Sequence, residues 1–484
     1  MGRAWFGLVT LTLYASACTS RLPAHASTSS VASEFGTPPA HESVSVPGLR
    51  NVQRTLGLLA SSTAAHRNHV RVLFYGQSIT QSPWSRKVES ELRRRFPLAD
   101  LEVENRALAG FASNLLVKTA ESDLYPYSPD LVIFHVYGAH DRYEDLVRRV
   151  HERTTSEILL QTDHVLSAGD LTEQTDPAQL SPRPEIWNAF MNNAFLPGLV
   201  ERYQTALCDV RSAWKRHLTQ HAEPPEELLS DGLHLNARGD ALMAHYVEQC
   251  LQPAPEVGAS PAERWVTTLV VGQDLHWQDG KLTLPFEGNR VDAITSFGQG
   301  APSHVRIDGE PPSQQRELYT FARARCPEAG AWPPLFELSS NATPLLETMT
   351  LEVTRVAASS HYAFTVHGDR TGPDGEGTSD RRFESNSKRL AIDPEDWNVE
   401  YAFKLAAKPI PEHFTIELRV VPHFADTIAS RAADSSDSRR STEHAITIAQ
   451  GLANTAHVLE LSAGGNATPN LRALRIYRPP LGRL

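Results

Sequence analysis

Three side chains of this 484-residue chain have the types and the order that nucleophilic catalysis needs. Ser78 follows Val72-Leu73-Phe74-Tyr75-Gly76-Gln77, an apolar run closed by a glycine, and precedes a helical pattern with Trp84, Val88, Leu92 and Phe96 at steps of four. A strand, a sharp turn and a helix lift a serine hydroxyl out of the end of a parallel sheet. Gly76 supplies the backbone freedom for such a turn, and the helix start offers N–H groups to an anion. Taken alone, a serine here is more often a helix N-cap than a nucleophile. The second stretch, Asp231-Gly232-Leu233-His234-Leu235, changes the odds. A serine nucleophile needs a base for its proton and a carboxylate to orient that base, and Asp231 and His234 supply both from one loop. The pattern is not the G-x-S-x-G elbow, because Thr80 stands at the second glycine.

A serine early and Asp-x-x-His late resembles the SGNH (GDSL-type) hydrolases, over residues 66–252. The resemblance implies an oxyanion hole built from the N–H of Ser78, a glycine after the second strand and an asparagine after the third. Gly110, in Asn105-Arg106-Ala107-Leu108-Ala109-Gly110, matches the glycine. The third block reads Gly138-Ala139-His140-Asp141, so His140 stands where the family has asparagine, and Gln77 stands where it has aspartate. Gln77 lies off the proton path. An imidazole N–H at position 140 can also donate to an oxyanion, with a reach and tautomer unlike an amide. No cofactor and no metal is implied, and no CxxC spacing occurs.

The elements that must position these residues alternate: strands at 70–75, 101–105, 131–136, 156–162 and 205–210, with helices at 84–96, 112–121, 144–152, 186–204 and 237–250. That alternation predicts a three-layer α/β/α sandwich around a doubly wound parallel sheet, with Ser78, Gly110 and His140 at carboxyl ends of strands. Residues 165–185 form a polar, proline-bearing insertion bordering the site. His135 reads as a core histidine, and Asp163-His164 as a pair that lines the pocket or hydrogen-bonds a loop. After Pro253-Ala254-Pro255 the pattern turns to period two, as in Lys281–Phe286, Tyr362–Val366 and Phe414–Val420, predicting an antiparallel β-sandwich. Trp265, Trp277, Trp332 and Trp397 there suit a sugar platform, but core and interface roles are commoner for tryptophan.

The expected organisation is a signal peptide (1–18), a Ser/Thr/Ala/Pro tether (19–46), the hydrolase-like domain (47–252) and the β accessory domain (253–484). Ala15-Ser16-Ala17 suits ordinary cleavage, and Cys18 after it also fits a degenerate lipobox, so the mature chain is extracytoplasmic, free or anchored to a membrane through lipidated Cys18. Cys208 reads as a small packed residue, and the three remaining cysteines imply no disulfide framework. A net charge of −11 with no basic stripe excludes a nucleic-acid footprint. Arg93-Arg94-Arg95 is a solvated helix end. The functional expectation is a serine esterase removing O-acetyl groups from a polysaccharide or cell-wall glycan. Its competitors are a lipase- or arylesterase-like hydrolase and a non-catalytic surface glycan-binding protein.

Overall fold

The computed structural model describes residues 43–296, 300–356, 361–429, 443–464 and 470–482. The expected signal peptide, Cys18 and most of the expected tether lie outside the described residues. The tether ends earlier than expected. Ser43–Val46 is docked on the α/β domain: Val44 and Val46 pack on its core, and Asp209 donates its N–H to the Ser45 carbonyl at 3.1 Å.

The first domain runs α1 (Gln53–Ala60), β1 (His69–Gly76), α2 (Ser78–Gln81), α3 (Trp84–Arg95), β2 (Asp100–Asn105), α4 (Ser113–Asp123), β3 (Leu131–His135), α5 (His140–Arg153) and β4 (Glu157–Gln161). It continues through α6 (Ala168–Leu171), α7 (Trp187–Phe190), α8 (Leu196–Tyr203), β5 (Ala206–Cys208), α9 (Val210–His221) and α10 (Ala237–Cys250). The five strands form one parallel sheet in the order β2-β1-β3-β4-β5. The inner strands carry near-continuous apolar stretches because helices cover both faces, while the edge strand β2 reads Asp-Leu-Glu-Val-Glu-Asn and is only partly buried. Val70, Val72, Phe74, Ile133 and Leu159 point into one core with Trp84, Trp214 and Tyr246. Leu73, Tyr75, Val132, Phe134 and Leu160 point into the other with Phe111, Tyr143 and Leu199. Burying each such side chain contributes about 1.5–3 kcal/mol, so the two cores hold the sheet in the three-layer sandwich the sequence predicts.

Three local readings change. The helix expected at 186–204 is a run broken by a π-type turn at Met191–Phe195. Pro197, in the first turn of the next segment, has no N–H to donate to the carbonyl four residues before it, so the turn before it widens. α9 follows β5 without a gap, capped by Asp209, whose side chain accepts from the Ser212 N–H at 3.2 Å. Its stripe Val210, Ala213, Trp214, His217, Leu218 had the helical period but was not assigned. Cys208 is also not a lone packed thiol. It is disulfide-bonded to Cys250, with the Cα atoms 5.7 Å apart, because α10 packs its last turn beside the end of β5. An odd cysteine count leaves one over, and that one is the buried Cys326.

The C-terminal half is antiparallel β, as its period-two runs predict. A five-stranded sheet has the order Gly372–Thr378, Tyr362–Gly368, Thr348–Arg355, His413–Pro422, Tyr319–Phe321. A six-stranded sheet has the order Thr427–Ile428, Ser303–Ile307, Glu443–Ala463, Lys281–Ser296, Leu471–Tyr477, Val266–Val270. Each sheet covers its own apolar core. One further helix, α11 (Val399–Leu405), seats Phe403 in the core of the five-stranded sheet. Both sheets dock on the α/β domain. Arg323 pairs with Asp123 at 2.7 Å, Lys118 with Asp396 at 2.8 Å, and Asn289 donates to the Arg153 carbonyl at 2.8 Å. The four tryptophans singled out above are half-buried: Trp332 and Trp265 at the domain junction, Trp397 against Tyr362, Trp277 at the edge of the six-stranded core.

Candidate active site

The turn after β1 is fixed by close approach. A Cβ on Gly76 would lie 2.2 Å from the His135 carbonyl oxygen and 2.4 Å from Thr80 Oγ1, so no larger residue fits where β1 meets β3. Gln77 is extended (φ −121°, ψ −155°), and Ser78 opens α2, where its N–H has no intrahelical acceptor. Three side chains tie the turn down. Asn105 donates to the Thr80 carbonyl at 2.6 Å and accepts from the Ala107 N–H at 3.0 Å. Gln81 donates to the Ala107 carbonyl at 2.7 Å, and Trp84 Nε1 to the Ile79 carbonyl at 2.6 Å. Their backbone acceptors are invisible to a sequence reading.

The late loop meets this turn. His234 Nε2 lies 3.0 Å from Ser78 Oγ, and His234 Nδ1 lies 2.8 Å from Asp231 Oδ2. The other carboxylate oxygen, Asp231 Oδ1, accepts the N–H of Leu233 at 3.1 Å and of His234 at 2.8 Å, so one side chain both folds the loop and faces the imidazole. Partial burial works against the Asp231 charge, but the hydrogen bonds from His234 and Leu233 outweigh it and hold the carboxyl below its usual range. The loop is clamped at its neck, where Ser230 donates its N–H to the His234 carbonyl at 2.8 Å. It is also held from below: His164 Nε2 lies 2.9 Å from the Leu233 carbonyl. Burial, then the neighbouring His135, depress the His164 pKa to about 4, so it donates as a neutral imidazole. Asp163 lies 3.1 Å from His135 Nε2 and exchanges hydrogen bonds with Asn192 of the π-type turn. Asp163-His164 therefore supports the loop, one of the two roles expected for it. The 165–185 insertion is anchored through Asp170 and Glu173, which pair with Arg211 at 2.9 and 2.6 Å.

Gly110 sits in the loop after β2, exposed and at φ +79°, a conformation glycine adopts without strain. That loop is stitched to the nucleophile turn by the Leu108 N–H, which donates to the Gly76 carbonyl at 3.0 Å. It is stitched to the loop after β3 by Ser113, whose N–H and Oγ donate to the carbonyls of Tyr137 and Ala139, both at 2.8 Å. The Gly110 N–H has no hydrogen-bond partner among the described residues. His140 heads α5 at the carboxyl end of β3, as expected. Its ring packs against Trp187, Phe190 and Phe195 at centroid distances of 5.0, 4.9 and 4.8 Å, and burial lowers its pKa. His140 Nε2 is buried without a hydrogen-bond partner among the described residues, and its described ring contacts are with these aromatics, none with Ser78.

No family model and no curated protein matches the chain. Its structural neighbours include a two-domain esterase active on acetylated mannans, 14% identical, with 92% of this chain and 99% of that chain covered at a TM-score of 0.35. An acetylxylan esterase from Geobacillus stearothermophilus is 16% identical, covering 39% of this chain and 96% of that chain at 0.32. An α/β hydrolase enzyme from the metagenome of Lake Arreo, Spain, is 17% identical over 39% of this chain and 98% of that one, at 0.31. No group of three or more His, Cys, Asp or Glu able to hold a metal occurs among the described residues, and no described helix is long and apolar enough to cross a membrane.

Proposed function

We propose that the protein is a serine ester hydrolase that removes O-acetyl groups from a polysaccharide or cell-wall glycan outside the cytoplasm. The observation that carries the reading is the unbroken relay Ser78 Oγ, His234, Asp231, with both contacts at hydrogen-bond distance. Ser78 Oγ attacks the ester carbonyl carbon as its proton passes to His234 Nε2. The imidazolium is held by Asp231, and the tetrahedral oxyanion takes the N–H groups of Ser78 and Gly110. His140, expected as a third donor, has its Nε2 buried among Trp187, Phe190 and Phe195, so the oxyanion hole of this proposal rests on the two backbone N–H groups. Collapse of the intermediate expels the sugar alkoxide, protonated by His234. Water activated by the same histidine then releases acetate and restores Ser78.

The substrate class follows from exposure. The side chains of Asp231 and His234 are 56% and 31% exposed, so the relay lies at an open surface that a bulky polymeric alcohol can approach. Tyr137 and Leu233, both exposed apolar side chains, flank it in sequence on the third-strand and histidine loops. The buried Cys208–Cys250 disulfide supports the export reading, since such bonds persist in oxidising compartments. Anchoring through a lipidated Cys18 belongs to the same proposal.

The test is acetate release from acetylated xylan, mannan, pectin and peptidoglycan, with p-nitrophenyl acetate alongside, by wild type and Ser78→Ala. The expected result is glycan deacetylation lost by on the order of 10⁴ or more in the variant. Activity confined to long-chain lipid esters would overturn the substrate class. Equal inertness of both proteins would overturn the enzyme.

A further inference from the structure

The C-terminal half reaches the candidate oxyanion loop directly. Trp332 Nε1 donates to the Ala109 carbonyl at 2.9 Å, and the Tyr401 hydroxyl donates to the Gly110 carbonyl at 2.7 Å. These two carbonyls belong to the two peptide planes that meet at Gly110 Cα. Every described peptide is trans, and in a trans peptide the C=O and N–H point to opposite sides of one rigid plane. A donor on the Ala109 carbonyl therefore fixes where the Gly110 N–H points, and a donor on the Gly110 carbonyl fixes the plane after it.

Such pinning is needed at this position. Glycine rotates more freely than any other residue, Gly110 is exposed, and its N–H is held by nothing else described. The brace is itself rigid. Tyr401 lies on α11, whose Val399, Ala402 and Phe403 are buried in the five-stranded sheet's core. Asn398, before that helix, donates its side chain to the Pro333 carbonyl at 2.9 Å and its N–H to the Pro334 carbonyl at 2.8 Å, which couples the Trp332 segment to α11. The Phe111 ring lies about equally far from the rings of Phe336 and Tyr401, at 6.0 and 6.1 Å. Leu405 closes over the glycine so tightly that a Cβ there would come within 2.7 Å of its methyl carbon.

We propose that Trp332 and Tyr401 are positioning residues that hold the Gly110 N–H toward the reacting ester, so that the β half completes the oxyanion hole rather than serving as a separate glycan-binding module. The inference rests on the esterase reading above.

The experiment uses the full chain with Tyr401→Phe, which removes only the donor, Trp332→Phe, which removes the donor together with part of the ring, and the double variant. Lys118→Met removes a docking contact of the same interface away from the loop. With p-nitrophenyl acetate, kcat is expected to fall about 3- to 10-fold in each single variant. In the double variant it falls on the order of 10²-fold, approaching the loss of one oxyanion donor. KM stays within about twofold, and inhibition by phenylboronic acid, whose serine adduct carries the tetrahedral oxygen, weakens in parallel with kcat/KM. Lys118→Met keeps wild-type kcat. Wild-type kcat in Tyr401→Phe and in the double variant would overturn the proposal, as would an equal loss in Lys118→Met, which would mark a general docking effect. Full activity of Ser78→Ala is a different failure, since it removes the esterase reading and leaves no oxyanion to hold.

Discussion

Asp231 gives the sharpest prediction because its two oxygens have separate duties. Oδ1 accepts two backbone N–H groups, from Leu233 and His234, and Oδ2 faces His234 Nδ1 at 2.8 Å. In Asp231→Asn the amide oxygen keeps the two backbone donors, which turns the NH₂ group toward Nδ1. The imidazole must then accept at Nδ1 and carry its proton on Nε2, the nitrogen that should take the proton of Ser78. The tautomer is wrong, and in the triad template that inversion costs about 10⁴ in kcat. In Asp231→Ala no group enforces a tautomer, and water reaches Nδ1 because the aspartate side chain is more than half exposed. What is lost there is the attraction between carboxylate and imidazolium, along with two exposed backbone hydrogen bonds to Oδ1 that water replaces. At ~4 Å the attraction amounts to ~1 kcal/mol in water and ~4 kcal/mol at an effective dielectric of ~20. Exposure places this site near the lower figure, which is roughly a 5- to 30-fold loss at 1.4 kcal/mol per decade. Asparagine is therefore expected to be worse than alanine by about 10² or more, an inversion of the usual order for conservative substitutions. Initial rates of p-nitrophenyl acetate hydrolysis at pH 8 for wild type and both variants decide it. An asparagine variant as active as the alanine variant would refute the division of labour between the two oxygens.

Three further outcomes follow from other parts of the molecule. Gly76→Ala forces a methyl into the His135 carbonyl and should abolish activity with a loss of about 2 kcal/mol or more in stability, measured by urea unfolding; a variant of wild-type stability would contradict the close approach. Glu157, buried against the N–H groups of Arg54 and Thr55 and the Ser260 hydroxyl, has its carboxyl pushed up to about 7, with burial the largest cause. The folded state then holds a proton that the unfolded chain releases near 4.5, so this contribution to stability is complete below that pH and is lost as pH rises through 7. The melting temperature of Glu157→Gln should gain on wild type between pH 5 and 8, and a constant difference would show that the site does not titrate there. Reducing Cys208–Cys250, whose partners are 42 residues apart, should cost up to about 4 kcal/mol of stability by loop-closure entropy, read as a lower denaturation midpoint in dithiothreitol; an unchanged midpoint would rule that contribution out.

The sequence by itself determined the features whose signal is local. Four of the five strands of the parallel sheet carry short apolar runs suited to double coverage, the edge strand β2 alternates instead, and the helices between them carry a four-residue stripe, so the α/β layer order was legible. Asp231 and His234 stand three residues apart on one loop, close enough that spacing alone implied their contact. Ser78 joined them only through the order of motifs, since 156 residues separate it from His234, and the fold brings the two together at the carboxyl ends of the strands. The tertiary structure alone decided the rest. The Cys208–Cys250 bond depends on α10 lying beside β5, a packing choice that cysteine spacing does not encode. His140 kept its place after β3, but what its ring meets was set by Trp187, Phe190 and Phe195, from a helical run about fifty residues downstream. The brace on Gly110 comes from Tyr401, 291 residues away. Its acceptor is a backbone carbonyl, a group every residue carries and no sequence pattern marks. Periodicity and spacing report what neighbours along the chain do together, whereas a contact between distant segments is chosen by the packing of whole layers.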